Sequence, residues 1–89
     1  MDNYHILNQL QDELREKYPQ LRINRDSGIP GEFLLVYHDG QKLAQLEIKN
    51  QGGDILLTFT PESSKPETFS AFPKAKTRLN DWLKKQFPA

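Results

Sequence analysis

The sequence predicts an α+β fold: a two-layer α/β sandwich in the order α-β-β-β-β-α, a four-stranded antiparallel meander with both helices on one face. Three observations carry this. Between Phe33 and Phe59 lie three runs of apolar and β-prone residues, separated by glycine-bearing turns. The segments before and after them each carry an apolar stripe at helical spacing. The strands alternate apolar with polar residues, so the helical stripes and one sheet face must cover each other. With 89 residues the chain makes a single α+β domain, 1–89.

The first helix is expected from Asn3 or Tyr4 to Lys17. Asp2 or Asn3 can cap it. Leu7, Leu10 and Leu14 form its stripe, with Ile6 and Tyr18 at the margins, and Pro19 ends it. Leu21 to Arg25 alternates apolar and polar residues, as a short strand does. Asp26 to Gly31 reads as a connecting loop. It holds no phosphate-loop lysine and no nucleophile-elbow pattern.

Phe33 to His38 is a strand, and Asp39-Gly40 is a strong hairpin signal, because a type I′ turn needs positive φ at both central residues. A straight ladder from that turn pairs His38 with Gln41, Val36 with Leu43 and Phe33 with Leu46. At the next turn, Asn50 to Gly53, pairing Lys49 with Asp54 sets Ile48 against Ile55 and Leu46 against Leu57. Both turns then put Phe33, Leu35, Tyr37, Ala44, Leu46, Ile48, Ile55, Leu57 and Phe59 on one core face. The outer face would carry Leu34, Val36, His38, Leu43 and Leu56 among polar residues.

Thr60-Pro61 closes the last strand. Ser64-Lys65-Pro66-Glu67 fits a capping box and suggests a helical turn within 61–72. Phe72, Ala75, Leu79, Trp82 and Leu83 form the apolar face of the final helix, with Phe87 at its edge and Pro88 as its stop.

Composition narrows the function. The chain has no cysteine, so no disulfide framework and no thiolate metal site. It shows no signal-peptide or membrane-spanning run, which makes the cytoplasm the expected location and a membrane partner unexpected. Formal net charge is zero, whereas a dedicated nucleic-acid binder is normally basic. His38 lies beside Asp39, but no serine or cysteine nucleophile accompanies it, so no enzyme is predicted. Asp12 and Glu16 share a helix face, yet a hard cation wants six or more oxygens. No metal or other cofactor is expected.

The leading expectation is a non-enzymatic interaction domain, binding a protein partner or a second copy as a homodimer. Its surface would be the outer face at Leu34, Val36, Leu43 and Leu56, or the strand Asp54 to Thr60 exposed as a sheet edge. The alternative is a phosphate or RNA site at Lys74, Lys76 and Arg78. Cations there oppose the helix dipole unless an anion, a phosphate or a carboxylate such as Glu62 or Glu67, lies nearby. In element order and in Lys74-x-Lys76-x-Arg78 the chain resembles the double-stranded RNA-binding fold, and that resemblance implies phosphate contacts by these three residues. The order of elements is also similar to frataxin, which implies an acidic ridge; acidic residues are few here.

Overall fold

The computed structural model describes residues 3–27 and 31–88. The elements are α1 (Asn3–Lys17), β1 (Arg22–Ser27), β2 (Gly31–His38), β3 (Gln41–Gln51), β4 (Asp54–Pro61), β5 (Glu67–Phe69) and α2 (Phe72–Gln86). The strands form one antiparallel sheet in the order β1-β2-β3-β4-β5. The two helices lie on the same face, α1 over β1 and β2, α2 over β4 and β5. The two-layer α+β architecture is as expected, with five strands where the sequence suggested four. Asp2, and Gly28 to Pro30 of the expected loop, lie outside the described residues.

Both helical stripes are where the spacing puts them. Leu7, Leu10 and Leu14 of α1 are buried, and so are Ala75, Leu79 and Leu83 of α2. Pro73 sits in the first turn of α2, where its missing N–H costs nothing. Phe59, at the centre of the core, meets the Trp82 ring edge-on at 6.0 Å.

The strands depart from expectation at three places. First, the Asp39-Gly40 turn forms as predicted, with φ of 52° and 80°, and Tyr37 pairs with Lys42. The ladder then slips by one residue, so Val36 pairs with Ala44 and Leu34 with Leu46. A β-bulge at Leu43 causes this. One extra residue on β3 reverses the side on which every earlier β2 residue projects. Leu34 and Val36 therefore face the helices at 0% exposure. Phe33, Leu35 and Tyr37, expected in the core, lie half-buried on the outer face. The bulge places Tyr37 on the outer face, where a phenol needs no partner from the core. It also lets Leu43 pack against the core beside Ala44.

Second, the next turn is tighter than expected. Gly52 and Gly53 form it, with φ of 60° and 91°, and Gln51 pairs with Asp54. Leu46 thus faces Phe59 and Ile48 faces Leu57. The offset is two residues, an even number, so Ile55, Leu57 and Phe59 keep their predicted side.

Third, 61–72 holds no separate helical turn. Glu67, read as a capping residue, is instead the first residue of β5, which pairs with β4 through Phe59↔Glu67 and Leu57↔Phe69. β4 is therefore an inner strand over Leu57 to Phe59, while β5 does not reach its first residues, Asp54 to Leu56.

Candidate functional site: the open sheet face

Both edges of the sheet carry features that disfavour a further strand. At the β1 edge, the Ile23 carbonyl accepts hydrogen bonds from Gln11 Nε2 at 2.8 Å and an Arg15 guanidinium nitrogen at 3.1 Å. Two side chains of α1 thus occupy an acceptor that an added strand would need. Arg25 stitches the same edge to α1. It donates to Asn8 Oδ1 at 3.0 Å, to the Phe33 carbonyl and to Glu32 at 3.3 Å, and lies 5.3 Å from the Tyr4 ring centre. The other edge, β5, is three residues long and follows Pro66. Very short strands and proline both discourage edge pairing.

The face opposite the helices is different. Among the described residues no element covers it. Its centre is the column Phe33, Leu35 and Tyr37 on β2. On one side stand Asp26, Asn24 and Arg22 of β1, and on the other Glu47, Gln45 and Lys42 of β3. Lys42 donates to Gln45 Oε1 at 3.0 Å, which keeps its stem along the sheet. At one end, Gln20, Arg22, Asn24, Tyr37, Asp39 and Gly40 line an open cleft of about 420 Å³. Leu56 shares the outer face, half-buried opposite Lys49.

Of the residues expected to bind a protein, the structure removes Leu34 and Val36 from the surface, and Leu43 packs toward the core beside Pro61 and Trp82. Leu56 alone stays on the predicted face. Phe33, Leu35 and Tyr37 take the place of the other three. No local motif announces the bulge. The signal available was indirect: a straight ladder sends Leu43 outward and a tyrosine hydroxyl inward, and one extra residue corrects both.

Two basic residues of α2, Lys76 and Arg78, meet carboxylates. Arg78 donates from Nε to Glu67 Oε1 at 2.9 Å and from a terminal nitrogen to Oε2 at 3.0 Å, a two-pronged pair. These bonds hold the Glu67 carboxyl below its ordinary value of 4.5, against a smaller opposing effect of burial. They raise the Arg78 guanidinium, opposed by burial and helped by Asp81. Lys76 pairs with Glu13 of α1 at 2.8 Å. Lys74 is exposed. The anions near this helix start are thus Glu67, one of the two carboxylates proposed from sequence, and Glu13.

His38 lies on the helix side of the sheet, with its ring edge-on to Phe87 at 5.1 Å, and not on the outer face. Its Nε2 is 3.9 Å from Asp39 Oδ2. Among the described residues no group of three or more histidines and carboxylates is placed to hold a metal. No helix among the described residues is long and apolar enough to cross a membrane. No family model, curated protein or solved structure matches the chain.

Proposed function

We propose that this chain is a small non-enzymatic interaction domain that docks a protein on the open face of its sheet. The observation that carries the reading is the column Phe33, Leu35 and Tyr37, turned outward by the bulge at Leu43 onto a face that no other described element covers. These side chains are only half-buried by the domain itself. A partner that covers them removes apolar area from water, worth about 25 cal/mol per Å² before the costs of association. Two aromatic rings among polar neighbours match the make-up of interface centres. The side-chain bonds at Ile23 and the shortness of β5 disfavour strand addition, which favours the face.

The phosphate or RNA alternative loses support. Arg78 and Lys76 already have carboxylate partners, and a phosphate would have to displace them.

Site-specific photo-crosslinking in the native cell tests the reading. A crosslinker at position 37 should give a discrete protein adduct, lost in Leu35→Lys, while one at position 74 gives none. Adducts at 74 and not at 37, or copurifying RNA, would overturn it.

A further inference from the structure

The charges around the apolar column follow a pattern. Read across β1, β2 and β3, the outer face has three rows. The first is Arg22, Tyr37, Lys42; the second Asn24, Leu35, Gln45; the third Asp26, Phe33, Glu47. Within these rows one end is cationic on both flanks, the other anionic on both flanks, and the middle is neutral; one step further out, Lys49 follows Glu47 on the same face and Asp39 stands at the turn beyond Tyr37. The four charged residues are in no ion pair with one another.

Such a face complements itself. Take a two-fold axis lying in the interface, across the strands, through Leu35. It lays β2 antiparallel over β2 of a second copy. Arg22 then meets Asp26 of the second copy, Lys42 meets its Glu47, and Tyr37 meets its Phe33. Leu35 meets Leu35, and the amides of Asn24 and Gln45 meet their own kind. The other in-plane axis, along β2, sets Arg22 over Lys42 and Asp26 over Glu47, which repels at every corner. The charge pattern therefore selects one of the two axes.

We infer that the partner of this face is a second copy of the chain, docked sheet-to-sheet about a two-fold axis at Leu35. This rests on the docking-face reading and narrows it. Stacked sheets lie about 10 Å apart and rotate by about 30° from alignment. Rows are about 7 Å apart and strands about 4.8 Å, so that rotation shifts a corner residue by about 4 Å, within reach of Arg and Lys side chains. The area covered is small, on the order of 1,000 Å² in total, at the low end for specific complexes. An area of that size fits a transient complex, whose affinity is set by the quality of its contacts and not by the area.

Sedimentation velocity on two variants tests it. Arg22→Glu with Lys42→Glu makes the face acidic at both ends, and Asp26→Lys with Glu47→Lys makes it basic at both ends. The natural chain should move from 10.3 kDa toward twice that mass as concentration rises. Each variant alone should stay monomeric, and an equimolar mixture should form a heterodimer that salt dissolves. Leu35→Arg, which puts two cations on the axis, should also be monomeric, and circular dichroism verifies its fold. A natural chain that is monomeric at about 1 mM, a concentration at which a complex worth only about 4 kcal/mol already forms, overturns the inference. So does a charge variant that dimerises alone, or an inert mixture. An inert mixture alongside a Tyr37 adduct to a different protein ends self-pairing and leaves the docking-face reading standing. Loss of both ends both.

Discussion

Val36 pairs with Ala44, and Leu43 between Lys42 and Ala44 has no partner in the β2–β3 ladder. This one unpaired residue decides which side chains of β2 fill the core and which meet water. Leu34 and Val36 go under the helices, and Phe33, Leu35 and Tyr37 form the outer column.

Adjacent leucines of β2 should therefore respond differently to truncation. Leu34→Ala empties a fully buried site and should cost about 2–5 kcal/mol. Leu35→Ala, half-buried on the open face, should cost about 1 kcal/mol or less. Urea unfolding followed by Trp82, the only tryptophan, measures both. Equal losses would contradict the bulged register.

The sequence made most of this fold legible, because most of it is periodic. The stripes of Leu7, Leu10, Leu14 and of Ala75, Leu79, Leu83 are where the spacing predicts. The Asp39-Gly40 turn has the expected positive φ at both residues. Two features were not legible. A bulge is an extra residue that strict alternation cannot register, and it inverted the face of β2. β5 has three residues, too few for a periodic signal, and its start imitates a helix cap through Ser64 and Glu67. The candidate site suffered most. It depends on which face β2 presents, and of the four predicted contact residues Leu56 alone remained outside.

Arg78 fastens β5 through Glu67, and this should appear as a pH dependence. Because the Glu67 carboxyl titrates below its usual 4.5 when folded, its contribution is complete above the unfolded value. It is lost as pH falls through the lowered folded value. The pair is partly exposed, so its worth is modest, about 1 kcal/mol or less. Glu67→Gln should flatten the stability profile below pH 4.5 relative to the natural chain. Urea midpoints at a series of acidic pH values check this. An unchanged slope would mean that the pair does not hold β5.

Gly31 should tolerate no side chain. A Cβ there would lie 2.9 Å from the Ile48 carbonyl oxygen and 3.2 Å from Lys49 Cβ. The carbonyl belongs to the β3 backbone and cannot swing aside. Gly31→Ala should destabilise by about 1–3 kcal/mol, whereas Thr68→Ala on short β5 should stay within about 0.5 kcal/mol. Thermal unfolding of the two variants side by side gives the comparison.

Duplex RNA should not bind with appreciable affinity. Of the three residues that would meet phosphates, Arg78 and Lys76 are held by Glu67 and Glu13, and a duplex would have to displace both carboxylates before releasing counterions there. Fluorescence anisotropy of a labelled duplex should stay flat at physiological salt. A salt-dependent rise that Lys74→Ala and Lys76→Ala abolish would restore the phosphate reading.

The facing of β2 is most directly measured by proton–proton Overhauser contacts from its methyl groups. The bulged register predicts cross-peaks from Leu34 and Val36 methyls to the leucine methyls of α1, and none from Leu35. Cross-peaks from Leu35 to α1, with Leu34 and Val36 silent, would restore the straight ladder and remove the open-face column on which the proposed docking depends.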